Sequence, residues 1–451
     1  MSLMICEIAS DDPLAAHLAL EAFADILPPS VVAEALASEG IADGRVRKLP
    51  VVVTVCLCIA MHLYAHEALP SVFRQLVSGL RWIWPQPDVL AVSKGAICQA
   101  RYRLSAHPLV GLFHAVCRPM ATTTTPEAFL FGYRLMALDA ALLDVPDTPA
   151  NDRVFGRPTT ARGRSAWPQA QLVALCECGT HAICDAGVWR YDANPHAAAR
   201  RLLRSLDPSM LVLWDRGLHS YDLVAEVVAR DGQFLSRLPS GAKPTAVLTL
   251  PDGTQLVRLA PSDRARRRQG EHVIVRLIGY TLDDPNRPGY QQAHRLITSL
   301  LDPQAAPALD LVVAYHARWE FELAVDEIVT HQRPDRPLRN QKPVGVIQEV
   351  YALLVAHYVV RAVMVDAAAT ADLPPTRLSF LTSLHLLREA LPDFQRAAPG
   401  EHGRIAQRLL ADIVAATRQP HQSTRRQTEN VKIPRQTALS SASTATVQTI
   451  P

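Results

Sequence analysis

Apolar residues occur in short runs through the middle of the chain, and these runs predict the strands of a sheet. Turn residues separate four runs of strand-forming side chains, at 135–143, 171–178, 181–191 and 211–215. A fifth strand is predicted at 233–238. Between these runs, residues 195–205 and 221–230 carry apolar positions at helical spacing. This alternation predicts a mixed α/β domain.

Helical periodicity dominates the region before this domain. Residues 1–121 are rich in Ala, Leu and Val at helical spacing and predict an α-helical N-terminal domain, followed by a linker at 122–126. Within it, residues 51–61 form an apolar run that is too short to span a bilayer and predicts a buried helix. A later run at 351–365, interrupted by His357 and Arg361, predicts a core helix.

The second half of the chain changes character twice. Short strand-like pieces between Pro-, Gly- and Asp-rich turns predict a β-rich insertion at about 239–305, and residues 371–416 predict a C-terminal helical region. From 417 to 451 the chain is rich in Gln, Ser, Thr, Pro and Arg, with few large apolar groups. Such a segment buries too little surface to order itself, so a disordered tail is predicted.

Three acidic residues stand out from this pattern. Asp139 lies within the first predicted strand, Asp215 ends an apolar strand and enters an Arg-Gly turn, and Glu322 shares one helical face with Tyr315 and Arg318. Carboxylates suit hard divalent cations, and two such ions can activate a nucleophile and stabilise the leaving oxygen of a phosphodiester. The three acids therefore indicate phosphodiester chemistry on divalent metal ions.

The first acid has two competitors, Asp144 and Asp147. Asp139 sits in a run that is apolar on both faces, whereas the competitors flank Pro146 in a turn-like stretch. An acid in a buried strand needs a counter-charge, which a metal would provide, so Asp139 is favoured. Around Glu322, the spacing predicts that Trp319, Leu323 and Ile328 face the core, and that three further acids are solvated, namely Glu320, Asp326 and Glu327.

Together these motifs resemble the DDE transposases of bacterial insertion sequences, in the insertion-sequence-four group. The likeness rests on Asp139, on Asp-Arg-Gly at 215–217 and on Tyr-x-x-Arg-x-x-x-Glu at 315–322, and three further stretches share it, at 146–151, 155–158 and 177–181. The resemblance implies an α/β fold with a ribonuclease-H-like catalytic core at 127–370, interrupted by the β-rich insertion and preceded by the helical domain.

The resemblance also implies an activity and its ligands. A transposase of this group binds the terminal repeats of its element and target DNA, both double-stranded, and cuts and joins strands in cut-and-paste transposition. It would use two Mg²⁺ ions, with Mn²⁺ as a possible substitute, held by the catalytic residues Asp139, Asp215 and Glu322. A homodimer on paired ends is expected. Tyr315, Arg318 and Arg216 would contact DNA near the cut.

Two departures from the family pattern keep other functions open. The usual Gly-Thr after the first Asp is Ala140-Ala141, and the Lys expected seven residues after the Glu is Val329. One alternative is a decayed or domesticated relative that binds DNA without cutting it. The other is a metal-dependent nuclease without strand transfer.

Charge and cysteine content refine the expected partners. The net charge is only +3, so affinity for DNA must come from local basic patches. Ser93 begins a capped basic helix in which four residues are candidates for contact with the element's end, Lys94, Gln99, Arg101 and Arg103, although an amphipathic structural helix fits the pattern equally well. Eight cysteines without a signal peptide predict a reducing cytoplasm, with the protein at the nucleoid when bound to DNA and no membrane partner.

Overall fold

The fold is that of a computed structural model of the chain. It describes residues 51–76, 92–160, 163–282, 292–332, 337–397, 401–416 and 431–432, together with residues 34, 36, 37 and 49. The predicted disordered tail therefore lies outside the described residues, apart from a two-residue strand.

Four helices form the described part of the N-terminal region: α1 (Val51–Leu63), α2 (Leu69–Leu76), α3 (Lys94–Leu104) and α4 (His107–Val116). Nearly all of α1 is buried, in agreement with its uninterrupted apolar sequence. The Ser93 side chain caps α3 by accepting a hydrogen bond from the Ala96 N–H, so the predicted helix start is confirmed.

The central domain is built on one sheet. Its strands before the insertion are β1 (Phe129–Leu130), β2 (Tyr133–Asp144), β3 (Thr159–Thr160), β4 (Gly163–Arg164), β5 (Gln169–Glu177), β6 (Ile183–Arg190), β7 (Met210–Trp214) and β8 (Gln233–Arg237). Among the described strands, only the short β3–β4 hairpin stands outside this sheet. Three helices connect the strands: α5 (Pro149–Phe155), α6 (Pro195–Leu202) and α7 (Tyr221–Val228).

The five long strands have the order β6-β5-β2-β7-β8. β6, β5 and β2 are antiparallel neighbours, whereas β2, β7 and β8 run parallel to one another. Parallel strands need crossover connections, which α6 and α7 supply. This topology is the predicted ribonuclease-H-like core, and all five strands lie where the apolar runs predicted them.

The insertion extends this sheet. Its elements are β9 (Thr245–Thr249), β10 (Gln255–Leu259), α8 (Arg264–Arg268), β11 (Val273–Leu282) and β12 (His294–Thr298). Strand β12 pairs antiparallel with β8, and the order β8-β12-β11-β10-β9 continues the core sheet outwards. β13 (Val431–Lys432) pairs with the end of β11. The predicted β-rich pieces therefore exist, and they belong to the central sheet itself.

Helices complete the domain after the insertion: α9 (Ala308–Tyr315), α10 (Trp319–Asp326), α11 (Pro343–Thr370), α12 (Phe380–Arg396) and α13 (His402–Ala416). By length and composition α11 is apolar enough to cross a membrane, but 78% of its apolar window is buried inside the protein. It packs against α1, α4, α12 and α13. The predicted core helix is thus confirmed, and it joins the N-terminal helices to the central sheet through its contacts with β6.

Candidate active site

Asp139 lies in the middle of β2, opposite Ala174 of β5 and two residues beyond Ala137, where the pairing of β2 with β7 ends. Its side chain is largely buried, and its Oδ1 atom accepts a hydrogen bond of 2.8 Å from the Ala140 N–H. Burial raises the pKa of this carboxyl, and the negative charges of Asp215 and Glu322 raise it further, against the opposing effects of Arg318 and the Ala140 N–H. Asp215 and Glu322 therefore both lie within electrostatic reach of Asp139.

The other candidates for the first acid are engaged elsewhere. Asp144, at the end of β2, accepts a hydrogen bond of 2.8 Å from the Gln169 amide, and Asp147 is an exposed partner of Arg157. Strand β2 continues unbroken through Ala140 and Ala141, so the absence of the family's Gly-Thr does not disturb the backbone at this site.

Asp215 directly follows β7 and is held by its own turn. The Gly217 N–H donates a hydrogen bond to Asp215 Oδ1, and the Leu218 N–H donates to the Asp215 carbonyl oxygen at 3.2 Å. A Cβ atom at position 217 would lie 2.8 Å from Asp215 Oδ1, so a side chain there would push the carboxylate out of place. The close approach of Gly217 to the Asp215 carboxylate thus explains the glycine in the Asp-Arg-Gly sequence. Arg216, between Asp215 and Gly217, is exposed.

Arg318 joins the first and third acids. Its Nη1 atom donates to Asp139 Oδ2 at 2.8 Å, and its Nη2 atom donates to Glu322 Oε1 at 3.0 Å. The Arg318 side chain is only 9% exposed, whereas that of Glu322 is 43% exposed. In this conformation Arg318 is therefore the counter-charge of two carboxylates and does not project from the surface.

Tyr315 is buried beside this group. Burial raises the pKa of its hydroxyl above the ordinary range. The charge of Asp215 also raises this pKa, whereas those of Arg318 and Arg237 lower it. The sequence predicted that Tyr315 contacts DNA near the cut. The side chain lies close to the acids, but only a small part of it is accessible.

The segment that carries Glu322 is not one regular helix. A 3₁₀ turn at His316–Arg318 separates α9 from α10, and a π-helical turn at Glu327–His331 follows α10. Ile328 is buried and Asp326 is exposed, as predicted. The prediction for Trp319 was wrong, because this side chain is 46% exposed, with the Arg318 guanidinium 5.4 Å from its ring centroid.

The predictions that Glu320 and Glu327 are solvated were also wrong. Glu327 is buried and pairs with His357 and Arg361 of α11, and Glu320 at the other end of α10 pairs with His181. Val329, which replaces the family's Lys, is half-buried and packs against the core. A hydrophobic residue fits this environment, since its neighbours are core side chains.

Arg237 is a site residue that the sequence reasoning missed. β7 and β8 run parallel, with Trp214 opposite Ser236, so Asp215 and Arg237 follow side by side at the same end of the two strands. Arg237 Nη2 lies 2.6 Å from His294 Nδ1, and none of the carboxylates in the described parts of the chain forms an ion pair with it. The sequence did carry a signal for it: a basic residue near the end of the strand predicted at 233–238, which follows the strand that leads to Asp215.

The donor set fits a divalent cation. Among the described residues, no three His, Cys, Asp or Glu side chains already enclose a position for one ion, because the Arg318 guanidinium joins Asp139 to Glu322. Three carboxylates with one arginine as counter-charge are nevertheless a hard, anionic oxygen set of the kind that such cations bind. Arg318 occupies one oxygen of Asp139 and one of Glu322, and it leaves Asp139 Oδ1 and Glu322 Oε2 outside its two hydrogen bonds.

The candidate DNA-contacting residues of α3 separate into two groups. Lys94, Gln99 and Arg103 are exposed. Arg101 is buried, and its guanidinium lies 3.8 Å from Glu349 of α11, whose side chain is 1% exposed. The Gln348 amide also donates to the Arg101 carbonyl oxygen at 2.8 Å. Helix α3 is therefore tied to α11 through Arg101 and keeps its other polar side chains at the surface.

These positions predict that one substitution in α3 lowers stability and that another lowers DNA discrimination. Arg101→Ala removes a buried guanidinium beside the buried Glu349 carboxylate, so the free energy of unfolding is expected to fall by about 1–3 kcal/mol. Lys94→Ala is expected to leave stability unchanged and to reduce discrimination between element ends and random DNA. Denaturant unfolding and gel-shift titrations measure the two effects. Equal stability of both variants would contradict the structural role of Arg101.

A ribonuclease-H-like sheet that carries two acids on neighbouring strands, with a third acid on a helix packed against it, is typical of enzymes that cut phosphodiester bonds in nucleic acids. A model described as "Insertion element 4 transposase N-terminal" matches residues 17–114, and a model described as "Transposase DDE domain" matches residues 130–357. The chain belongs to the insertion-sequence-four family of DDE transposases. It is thus a metal-dependent enzyme of a family whose members typically cleave DNA and transfer strands.

Two transposases of Escherichia coli support this assignment. The chain is 30% identical over 403 residues to the transposase InsG for insertion sequence element IS4 of Escherichia coli, covering 88% of this chain and 87% of that protein. It is 26% identical to the putative transposase InsZ of the same organism, over 48% of this chain and 70% of that protein. A chain of a solved piggyBac transposase synaptic complex with hairpin DNA also aligns with this one, at a TM-score of 0.41 and 11% identity. The alignment covers 89% of this chain and 85% of the piggyBac chain.

Proposed function

We propose that Asp139, Asp215 and Glu322 hold two Mg²⁺ ions and that the protein cuts the ends of its own element and joins the freed 3′-ends to target DNA. The observation that carries this proposal is the bridge of Arg318 between Asp139 and Glu322, with Asp215 close enough to act on the pKa of Asp139. Two ions supply an activated nucleophile and stabilise the leaving 3′-oxygen of the phosphodiester. Mn²⁺ is expected to substitute.

The residues of the site divide the remaining work. The Ala140 N–H and the turn at Gly217 orient the first two carboxylates before DNA binds. Glu322, the most exposed of the three, is free to move towards the substrate once Arg318 releases it. The released guanidinium then becomes available to a DNA phosphate near the cut, which is the role that the family motif implies for it. Tyr315 packs beside these groups and limits access of water.

The DNA partner is proposed to be double-stranded and to bind across this edge of the sheet. Arg216 and Arg237 lie on either side of Asp215 and would contact DNA phosphates there, while Lys94 and Arg103 would contact the terminal repeat. A homodimer would bring two ends together, in the cytoplasm at the nucleoid. Arg237 offers a phosphate contact in place of the Lys that Val329 replaces.

One experiment separates the proposal from its two alternatives. The purified protein is incubated with a DNA fragment that carries the element's flanking repeats and with a plasmid target, in Mg²⁺, in Mn²⁺ or in EDTA. Metal-dependent cutting at the repeat ends followed by joined products supports the transposase. Binding without cutting in either metal supports the decayed relative, and cutting without joined products supports the nuclease.

Arg237 provides a prediction about the DNA path. Arg237→Ala is expected to weaken binding of every DNA sequence about tenfold and to lower the salt slope of the binding constant by about one unit, since one phosphate contact is lost. The matched control is Arg230→Ala, just after α7 and three residues before β8 begins, where the exposed guanidinium pairs with Glu226. Fluorescence anisotropy at several salt concentrations measures both. An unchanged salt slope for Arg237→Ala would remove this residue from the DNA path.

A further inference from the structure

Five polar side chains form a buried group behind the helix that carries Glu322. We call Glu327, Glu320, His181, His357 and Arg361 the Glu327 cluster. Glu327 Oε1 lies 3.0 Å from His181 Nδ1, and Glu327 Oε2 lies 2.9 Å from His357 Nε2 and accepts a hydrogen bond of 2.9 Å from Arg361 Nε. His181 Nε2 lies 2.8 Å from Glu320 Oε2.

The cluster joins three parts of the fold that are far apart in sequence. His181 belongs to the turn between β5 and β6, Glu320 and Glu327 belong to α10 and the π-helical turn after it, and His357 and Arg361 lie one turn apart on α11. The backbone at His181 has a φ of 60°, a left-handed conformation that a side-chain-bearing residue adopts at a cost. Contacts of its ring on both sides account for a histidine at this strained position.

The charges in this cluster are mutually compensated. Burial raises the pKa of Glu327, but Arg361 and His181 outweigh it and hold the pKa well below its ordinary value. Burial and Arg361 lower the pKa of His181, but the two glutamates outweigh them and raise it. Buried ion clusters seldom add stability over apolar packing of the same shape, whereas they restrict a chain to one arrangement. Stability alone therefore gives this cluster no clear advantage over a hydrophobic contact.

The Glu327 cluster fixes the orientation of the helix that carries Glu322. Glu320 and Glu327 are seven residues apart, which is about two helical turns, so both lie on the side of the helix that faces α11 and the β5–β6 turn. Glu322 follows Glu320 by two residues and therefore projects about 200° away, towards Arg318 and Asp139. The cluster holds the back of the helix at both ends while its front presents the third acid.

We propose that the Glu327 cluster is a positioning device that fixes the direction and depth of Glu322 relative to Asp139 and Asp215. This proposal rests on the assignment of those three acids as the cation site. His181 and Glu327 touch neither DNA nor cation and act through the helix. Residues that orient a metal ligand from behind commonly change cation affinity by 10–100-fold when they are altered.

The test measures cation binding directly. Titration calorimetry with Mn²⁺ on the full chain compares the parent with His181→Gln and Glu327→Gln, and hydrogen exchange of residues 319–326 reports whether the helix loosens. Both variants are expected to bind Mn²⁺ about 10–100-fold more weakly and to exchange faster. The matched control is Asp326→Asn, an exposed carboxylate on the same helix outside the cluster, which is expected to behave as the parent.

A double substitution separates this proposal from the site assignment. If the cluster acts through Glu322, adding His181→Gln to Glu322→Ala is expected to cause no further loss of Mn²⁺ affinity. Parental affinity in both His181→Gln and Glu327→Gln, while Glu322→Ala weakens binding, would overturn the positioning role and leave the site intact. Parental affinity in Glu322→Ala itself would overturn the site. Should Glu327→Gln fail to fold, His181→Gln carries the test alone, since it retains a polar side chain in the turn.

Discussion

Replacing Asp139 by Asn is expected to lower the rate of DNA cleavage at an element end about a thousandfold or more, with end-binding retained. The carboxylate is expected to share in holding the cations, whose stabilisation of the transition state amounts to several kcal/mol, and each 1.36 kcal/mol is about a tenfold change in rate. Asp215→Asn and Glu322→Gln are expected to show similar losses. Binding is expected to be equal or tighter, because removing a negative charge beside Arg318 reduces repulsion of phosphate.

The control for this series is Asp144→Asn. Asp144 is on the same strand as Asp139, and its carboxylate accepts a hydrogen bond from Gln169. Single-turnover cleavage of end-labelled DNA in Mg²⁺ and gel shifts without metal measure the two quantities separately. Cleavage at the parental rate by any one of the three variants would remove that residue from the site, and equal loss in Asp144→Asn would point to a general structural effect.

Local pattern was sufficient for the core of the sheet. The structure contains all the predicted strands, at 135–143, 171–178, 181–191, 211–215 and 233–238. Strands that are buried on both faces consist of continuous apolar runs, so they can be recognised from the local sequence alone. The same reasoning located Asp139 and Asp215, since an acid in or directly after such a run needs a specific partner. The capped start of α3 was equally local.

Features that depend on distant partners could not be predicted in this way. Glu327 has the sequence surroundings of a solvated acid, and its burial depends on partners far away in sequence: His181, 146 residues earlier, and His357 and Arg361, 30 and 34 residues later. Trp319 has helical spacing from core residues, but the 3₁₀ turn before α10 changes its direction. The pairing of β12 with β8, which merges the insertion with the core sheet, likewise depends on residues about 60 positions apart, as between Phe234 and Thr298.

Arg318 shows how a motif residue can be identified and its first contact missed. The sequence predicted a DNA phosphate as its partner, whereas the structure pairs it with Asp139, 179 residues away, as well as with Glu322 one turn ahead. The two roles are compatible if a cation replaces the guanidinium between the acids. The same charge then moves from the carboxylates to the phosphate, which brings release of the acids and binding of DNA into one step.

Arg318→Gln is therefore expected to destabilise the cation-free protein by about 3 kcal/mol, because Asp139 loses its counter-charge while it remains largely buried. The contact with Glu322 contributes little to this loss, since that side chain is partly exposed and screened by solvent. Mg²⁺ is expected to restore much of the lost stability, because it neutralises the same carboxylates. Cleavage in saturating Mg²⁺ is expected to remain at least about a hundredfold below the parent, since a phosphate contact of roughly 3 kcal/mol is also gone.

Thermal unfolding with and without Mg²⁺, combined with single-turnover cleavage, distinguishes these two roles of Arg318. Arg396→Gln is the control, because Arg396 forms an exposed ion pair with Asp393 that is expected to contribute less than about 1 kcal/mol. A variant that is stable without Mg²⁺ and gains nothing from it would contradict the exchange of the arginine for a cation. A variant that regains both stability and full cleavage in Mg²⁺ would show that Arg318 only balances charge, and the phosphate contact beside the cut would then fall to Arg216 or Arg237.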